Sequence, residues 1–191
     1  MSPVDYRYCP HCGAELKPVQ VLHQQRPGCV ACGFVHFRDP KVAVVGLVTQ
    51  GDRVLLIRRG VDPGKGRWAL PGGYMDAGEM PVEALQRELN EEVGLAVTVQ
   101  QLLDIYPMAG AQGPSRGIVL AYAAVPAASP LDPELQPLTC RDDVTDAAWF
   151  TGEELPTDLA FDSTHALLAA WHDRRPYTMT HPDDKGVYKI R

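Results

Sequence analysis

Runs of hydrophobic residues divide much of the chain into alternating strands and helices. Residues 42–48 form a continuous apolar run, and residues 53–59 form a second one after the Gly51-Asp52 turn. This pattern predicts two buried strands that pair back on each other. A short strand is predicted to begin at Trp68 and to end in a glycine turn at Gly73. Further strands are predicted near 96–106, 117–125 and 147–150.

A helix is predicted between Pro81 and Gly94. Proline suits the first helical position, and glycine suits the position just past the end. At 100° per residue, four apolar side chains fall on one side and predict a core-facing stripe: Val82, Leu85, Leu89 and Val93. A second helix is predicted over 163–174. Periodicity alone therefore indicates an α/β or α+β fold.

The first helix also carries a cluster of carboxylates at Glu88, Glu91 and Glu92. Residues three and four apart are neighbours on a helix, so these like charges repel one another. The helix contains no lysine to dilute the repulsion. Hard divalent cations such as Mg²⁺ prefer oxygen ligands. The cluster therefore predicts a metal site, with an acidic solvated surface as the alternative.

The acidic cluster lies within a longer motif, residues 73–95, with the pattern G-x5-E-x7-R-E-U-x-E-E-x-G-U, where U is a bulky aliphatic residue. This motif resembles that of the Nudix hydrolases. The resemblance implies an α/β/α sandwich with a mixed sheet and catalytic Mg²⁺ or Mn²⁺ held by Glu88, Glu91 and Glu92. It also implies that Arg87 braces the loop and helix through Glu79. An ordinary helical pair of Arg87 with Glu83 or Glu91 is the alternative.

The turn before the helix is expected to approach phosphate closely at Gly73, because glycine leaves the backbone accessible. Family members differ in their general base, and the resemblance places an additional acidic ligand or base at Asp143, with Asp142 and Asp146 as rivals. Four cations upstream of the motif are candidates for phosphate contacts or, equally, ordinary loop charges: Arg58, Arg59, Lys65 and Arg67.

Four of the five cysteines form two C-x-x-C-G turns separated by sixteen residues. This spacing predicts a tetrahedral zinc ribbon whose ligands are Cys9, Cys12, Cys29 and Cys32. With four protein ligands the zinc is expected to be structural. Disulfides are the alternative, and His11 and His23 are alternative ligands. The unpaired Cys140 is expected to be a small buried residue.

The 191 residues allow one domain and a small module, here a ribbon over 1–37, a Nudix domain over 38–176 and a tail over 177–191. No apolar run reaches the length needed to cross a membrane, and the N-terminus lacks a signal-peptide pattern. We therefore expect a cytoplasmic protein. A net charge of −6 disfavours binding to bulk nucleic acid but not to a phosphorylated small molecule.

A ribbon ahead of a Nudix domain resembles both the NADH pyrophosphatases and a second group that acts on FAD and ADP-ribose. The NADH group carries an S-Q-P-W-P-F-P-x-S element where this chain has residues 106–110, Tyr-Pro-Met-Ala-Gly. The second group is similar at Asp39–Lys41, Trp68–Pro71 and Leu159–Phe161. The resemblance implies a homodimer that hydrolyses the pyrophosphate bond of an ADP-ribose- or FAD-type nucleotide and releases AMP.

Two other functions are compatible with the sequence. One is hydrolysis of NADH, NAD-capped RNA or nucleoside triphosphates, with the ribbon gripping nucleic acid. Residues 1–38 carry four Lys/Arg and two Asp/Glu, a small surplus for that role. The other is a non-catalytic nucleotide-binding regulator, which the complete motif disfavours.

Overall fold

A computed structural model of the chain describes residues 6–108, 117–127 and 135–174, together with two short strands near the C-terminus. Residues 109–116 and 128–134 lie outside the described residues, as does most of the predicted tail at 177–191. Within that tail, strands β9 (His181–Pro182) and β10 (Tyr188–Lys189) pair antiparallel. The chain divides into two compact units, Met1–Pro40 and Lys41–Arg191.

The first unit is built on a small hairpin. Strands β1 (Lys17–Val21) and β2 (Gln24–Gly28) pair antiparallel across a turn at Leu22 and His23. The two cysteine turns flank this hairpin along the chain.

The second unit contains a mixed six-stranded sheet. Its strands are β3 (Lys41–Gln50), β4 (Arg53–Arg59), β5 (Trp68–Ala69), β6 (Val97–Pro107), β7 (Gly117–Pro126) and β8 (Val144–Thr151). Strands β3 and β7 are parallel, and the other pairs are antiparallel. The predicted mixed sheet is confirmed.

Strands β3 and β4 pair only beside the turn that joins them, at Thr49 with Val54 and at Gln50 with Arg53. Beyond this point the two strands part. The free edge of β3 is therefore available to the segment that follows β5, which is the segment preceding the acidic helix.

Two helices cover the two faces of the sheet. Helix α1 (Pro81–Val93) packs Leu85 and Leu89 on one face, and helix α2 (Asp162–His172) packs Leu167 and Leu168 on the other. Alternate residues of β4 enter the two clusters, with Leu55 and Ile57 towards α1 and Val54 and Leu56 towards α2. Burial on both faces explains why the strand is apolar throughout. A short 3₁₀ helix, Gly152–Glu154, follows β8.

Helix α1 begins and ends where the sequence predicts. Pro81 is its first residue, and Gly94 adopts φ of 69° just past its end. The predicted apolar stripe is wrong at one position, because Val82 is 40% exposed while Ala84 is buried. A helical wheel gives the angle around the axis but not how far the core extends along it, and Val82 lies in the first turn.

The prediction that Cys140 is buried is also wrong, since this side chain is exposed. Cys140 lies in the irregular segment between β7 and β8, where no periodic pattern constrains burial. Among the described residues, no helix is long and apolar enough to cross a membrane.

Candidate active site and cysteine cluster

The glycine turn before α1 extends the sheet along the free edge of β3. The carbonyl oxygens of Pro71 and Gly73 accept hydrogen bonds of 2.9 Å from the backbone N–H groups of Gly46 and Val44. Between them, Gly72 has φ of 139°, and a Cβ there would collide with the backbone carbonyl of Val44. Glycine is therefore required at this position by both conformation and space.

Glu92 is the most deeply buried carboxylate of the acidic cluster, with 3% of its surface exposed. Its Oε2 accepts a 2.9 Å hydrogen bond from the backbone N–H of Gly72. Burial is the main reason that the pKa of Glu92 is raised to about 8; the Gly72 bond opposes this rise, and the nearby carboxylates of Glu88 and Asp143 add to it. The turn therefore holds a carboxyl group that favours its neutral form at neutral pH unless a cation lies close by.

Glu88 lies against the next residue of the same turn. A Cβ added to Gly73 would lie 2.6 Å from Oε2 of Glu88, so the glycine leaves the space that the carboxylate occupies. Burial also raises the pKa of Glu88, although the adjacent Arg87 opposes this effect. Glu91 differs from both, because half of its side-chain surface is exposed. The sequence predicted Glu88, Glu91 and Glu92 as ligands without distinguishing them, whereas the structure has two inner carboxylates and one more exposed carboxylate, that of Glu91.

Arg87 makes both of the contacts that the sequence left as alternatives. Its guanidinium bonds the Glu79 carboxylate at 2.8 and 3.1 Å, and it bonds Glu91 at 3.0 Å. It also donates to Glu88 at 3.0 Å and to the backbone carbonyl of Tyr74 at 3.0 Å. Arg87 therefore ties the turn, the segment before the helix and the helix itself together.

Glu83, the other candidate partner of Arg87, instead accepts a 2.9 Å bond from the N–H of Met80 at the start of the helix. The strong contact with Arg87 lowers the pKa of Glu79.

The charges around Arg87 do not balance. One guanidinium faces the carboxylates of Glu79, Glu88 and Glu91, and the carboxyl group of Glu92 lies next to them. A set of carboxylates with a deficit of positive charge fits a hard divalent cation. Arg87 lies between Glu88 and Glu91, however, and within the described residues only the cysteines bring three or more ligand atoms close together.

Of the three candidate acidic residues at the start of β8 or just before it, Asp142 and Asp143 lie beside the helix carboxylates. The backbone N–H groups of Thr139 and Arg141 donate to the carbonyls of Val93 and Glu92, both at 2.9 Å. These bonds fasten the segment to the end of α1. The charge of Asp143 raises the pKa of Glu92, and that of Asp142 raises the pKa of Glu88.

Asp146, the third candidate, is exposed and accepts a bond from the N–H of Ala147 next to it. Of the three, Asp143 is the one that is partly buried and adjacent to Glu92.

The four cations upstream of the motif occupy different positions relative to the acidic cluster. The charge of Arg59 reaches Glu92 and lowers the pKa of that carboxyl, whereas Arg58 follows Leu56 on the opposite face of β4. Lys65 and Arg67 are exposed in the loop between β4 and β5.

The sequence singled out Gly73 but not Gly72, although Gly72 supplies the hydrogen bond to Glu92. The Gly72-Gly73 pair after Pro71 was the available sequence signal. Gly72 is needed for the backbone conformation beside Val44, and Gly73 leaves room for the carboxylate of Glu88.

The four paired cysteines come together in the first unit. Their Sγ atoms all lie within 4.8 Å of one another, with Cys9 to Cys32 at 3.5 Å and Cys12 to Cys29 at 3.4 Å. Four thiolates around zinc at about 2.3 Å would be separated by roughly 3.8 Å. The cluster therefore has the donor set and the spacing of a tetrahedral thiolate site.

The two cysteine turns are built alike. The N–H of Gly13 donates to the carbonyl of Cys9, and the N–H of Gly33 donates to that of Cys29, both at 2.9 Å. Both glycines have positive φ. All five cysteines are free, so the disulfide alternative is not present in this structure.

The alternative ligand His11 instead packs on the ring of Phe34, with 4.8 Å between centroids. A backbone N–H bond from Cys32 lowers the pKa of Cys29 to about 7, which favours its thiolate form.

Comparison with known proteins agrees with this geometry. The model of the NUDIX domain family matches residues 38–174. The ADP-ribose pyrophosphatase of Methanocaldococcus jannaschii is 38% identical over 126 residues, which cover 66% of this chain and 70% of that protein. The NAD-capped RNA hydrolase ndx-9 of Caenorhabditis elegans is 31% identical over 170 residues, which cover 85% of this chain and 41% of that protein.

A solved structure supports the fold independently. The crystal structure of a NUDIX hydrolase from Nitrosomonas europaea superposes with a TM-score of 0.78, covering 91% of this chain and 97% of that one, at 23% identity. At this identity the likeness establishes the fold. The chain spans less than half the length of the Caenorhabditis relative.

Replacing the two glycines separately tests the construction of the turn. Gly72→Ala is expected to lower the free energy of unfolding by more than about 2 kcal/mol, since the added methyl group meets backbone. Gly73→Ala is expected to cost less than about 1 kcal/mol, because only the mobile end of Glu88 must move, but to weaken Mn²⁺ binding about tenfold or more. Chemical denaturation and Mn²⁺ titration measure the two effects. Equal destabilisation by the two variants would contradict this account.

The pKa of Glu92 predicts how stability depends on pH in magnesium-free buffer. Its folded pKa of about 8 exceeds the unfolded value of 4.5. Between these values the unfolded chain releases a proton that the folded chain retains, so the stability that Glu92 contributes below pH 4.5 is lost as pH rises towards 8. The loss is roughly 4 kcal/mol.

Glu92→Gln keeps a neutral side chain at all pH values and serves as the comparison. Its free energy of unfolding is expected to match that of the wild type near pH 5 and to exceed it near pH 8. Parallel pH profiles of the two proteins would show that Glu92 does not titrate in this range.

Proposed function

The chain belongs to the Nudix family, and from that premise we propose that it hydrolyses the pyrophosphate bond of a nucleoside diphosphate linked to a second moiety. The observation that carries this proposal is the pair of inner carboxylates, Glu88 and Glu92, packed against the Gly72-Gly73 turn. The turn exposes backbone next to two acidic groups, which is an arrangement suited to a diphosphate bound together with a cation.

Glu88, Glu91 and Glu92 are the residues that would hold catalytic Mg²⁺ or Mn²⁺. Their carboxylate oxygens are the ligands these ions prefer, and Arg87 alone leaves the surrounding negative charge uncompensated. When bound, such an ion neutralises phosphoryl charge and lowers the pKa of a water molecule.

The remaining residues of the site orient the carboxylates that would bind the cation and hold the turn against the helix. Gly72 fixes the carboxylate of Glu92 through its N–H, and Gly73 leaves room for Glu88. Arg87 and Glu79 keep the turn and the helix in register. Asp143, partly buried and next to Glu92, is our candidate for the general base that accepts a proton from the attacking water.

ADP-ribose or FAD is the proposed type of substrate, with AMP as a product. The relative from Methanocaldococcus jannaschii is an ADP-ribose pyrophosphatase, and it matches within the domain that carries the acidic helix. Residues 106–110 lack the element of the NADH pyrophosphatases, which disfavours NADH.

NAD-capped RNA is a second candidate substrate. The relative from Caenorhabditis elegans is an NAD-capped RNA hydrolase, and its match extends over 85% of this chain. The cap of such an RNA contains the same type of diphosphate bond, so the same carboxylates would serve. The negative net charge of the chain and the small basic surplus of its first 38 residues disfavour a long RNA contact.

For the first unit we propose a structural zinc held by Cys9, Cys12, Cys29 and Cys32. The cluster closes the coordination sphere with four thiolates and leaves no position for substrate. Thiolates of this kind persist in reducing compartments, which supports a cytoplasmic location. A homodimer is proposed by analogy with the family.

A substrate panel tests the proposed reaction. In the presence of Mg²⁺ we expect AMP release from ADP-ribose or FAD with a higher kcat/KM than from NADH, NAD-capped RNA or nucleoside triphosphates. Glu92→Gln is expected to lower kcat by about a hundredfold or more without loss of the fold, because it removes a metal-binding oxygen. Preference for the capped RNA would favour the second candidate, and absence of turnover across the panel would refute the proposal.

Zinc removal tests the proposed role of the cysteines. Cys9→Ser is expected to lower the bound zinc content and to unfold the first unit, since metal binding supplies the folding free energy of such small modules. Elemental analysis and circular dichroism measure these losses. Cys140→Ser, which changes the exposed unpaired cysteine, is the matched control and is expected to change neither quantity. Full zinc content in Cys9→Ser would exclude Cys9 as a ligand.

A further inference from the structure

Strand β8 contains an extra residue where it passes the end of β4. The pairing of Arg58 with Asp146 is followed by that of Arg59 with Val144, which leaves Thr145 as the extra residue. Such a bulge bends a strand and redirects the residues next to it, and bulges are frequent beside active sites. This bulge lies two residues from the candidate general base.

The side chain of the extra residue helps to hold the bulge. Oγ1 of Thr145 donates a 3.2 Å hydrogen bond to the backbone carbonyl of Arg58. The hydroxyl group therefore bridges the two strands at the point where their register shifts. The shifted register continues beyond β4, because the next contact between the two segments joins Gly60 to Asp143.

Gly60 contacts the backbone of Asp143 at very short range. Its N–H donates a 2.6 Å hydrogen bond to the carbonyl oxygen of Asp143. A Cβ added to Gly60 would lie 2.6 Å from that same oxygen and 3.2 Å from Cγ2 of Thr145. The φ of Gly60 lies outside the left-handed range, so glycine is required here for space. Any larger residue would force the Asp143 backbone to move.

The segment that carries Asp143 is fastened to α1 on its other side. The N–H of Arg141 donates to the carbonyl of Glu92 at 2.9 Å, and the N–H of Val144 donates to the carbonyl of Arg141 at 3.1 Å. The second bond closes a tight turn in which Asp142 has φ of 53°, a conformation that residues other than glycine seldom adopt. Asp143 is therefore held in a turn that begins at the backbone of Glu92.

Two contacts thus determine where Asp143 lies. The bond to Glu92 ties its turn to the helix that carries the acidic cluster, and the bond from Gly60 ties its own carbonyl to the end of β4. A shift of that carbonyl would carry the carboxylate of Asp143 with it. Misplacement of a catalytic group by about 1 Å can lower a rate about 100-fold.

Building on the proposed function, in which Asp143 accepts a proton from the attacking water, we propose that Gly60 is the positioning residue for that carboxylate. Because Gly60 has no side chain, the end of β4 lies directly against the Asp143 carbonyl. The bulge at Thr145 gives the two segments the register that this contact needs. A methyl group at position 60 would push the turn, and the carboxylate with it, away from β4.

Steady-state kinetics with Mg²⁺ and the best substrate of the panel test this role. Gly60→Ala is expected to lower kcat about 10- to 100-fold while KM and Mn²⁺ affinity change less than about threefold, because the carboxylates of α1 stay in place. Gly152→Ala is the matched control at the opposite end of β8, where the added methyl group meets only the side chain of His172. Its kcat is expected to stay within about twofold of the wild type. Thermal unfolding checks that both variants are folded.

A double-mutant cycle separates positioning of Asp143 from a general structural defect. Asp143→Asn is expected to lower kcat about 100-fold or more, because the amide cannot accept the proton. Adding Gly60→Ala is expected to lower kcat less than about threefold further, since the carboxylate that Gly60 positions is already gone. Losses that multiply, or a wild-type kcat in Gly60→Ala, would overturn the inference.

Crystal structures of the wild type and Gly60→Ala test the placement of Asp143 without requiring turnover. The Asp143 carbonyl is expected to move about 0.5 Å or more from the end of β4, with α1 unchanged. An unmoved Asp143 would overturn the inference even if ADP-ribose is hydrolysed. Displacement without hydrolysis of any diphosphate substrate would support the placement by Gly60 and refute the proposed reaction. Wild-type turnover in Asp143→Asn would overturn the catalytic role of both residues while hydrolysis itself stands.

Discussion

The burial of one carboxyl group, that of Glu92, is the constraint on which the site depends. A buried carboxyl that ionises needs compensation, and here its protein donor is the backbone N–H of Gly72. That bond requires the glycine turn to lie against the C-terminal half of α1. The turn can lie there because β4 diverges from β3 and leaves an edge to which the turn binds. Sheet topology, turn conformation and helix placement together determine the position of Oε2 of Glu92.

The surrounding residues determine the net charge around the buried carboxyl group of Glu92. Arg87 contacts three carboxylates and a backbone carbonyl, so it acts as a structural brace between the turn and the helix. The segment before β8 brings Asp143 close, which increases the negative charge at Glu92 instead of relieving it. A fold that concentrates uncompensated carboxylates in this way is stabilised by a cation, and a diphosphate accompanied by such a cation would complete the charge balance.

Much of this arrangement was predictable from local patterns. Pro81 and Gly94 mark the ends of α1, and the apolar segments correspond to β3 and β4, because these signals depend on backbone preferences and burial on both faces. Spacing also predicted the cysteine cluster. The inequality of Glu88, Glu91 and Glu92 was not predictable, because spacing along a helix does not reveal what packs against it. Val82 and Cys140 show the same limit, since their exposure depends on where the core ends. The role of Gly72 required knowledge of the tertiary contact with Val44 and Glu92.

Proton release on Mn²⁺ binding tests whether the buried carboxyl group of Glu92 becomes a metal ligand. With a pKa of about 8 in the absence of metal, the carboxyl group of Glu92 is mostly protonated at pH 7 and must lose its proton to become a ligand. Calorimetric titration with Mn²⁺ in buffers of different ionisation enthalpy measures the number of protons released. We expect between half a proton and one proton per bound ion at pH 7 in the wild type, and close to none in Glu92→Gln, which should also bind more weakly. Equal proton release and equal affinity in the two proteins would contradict this expectation.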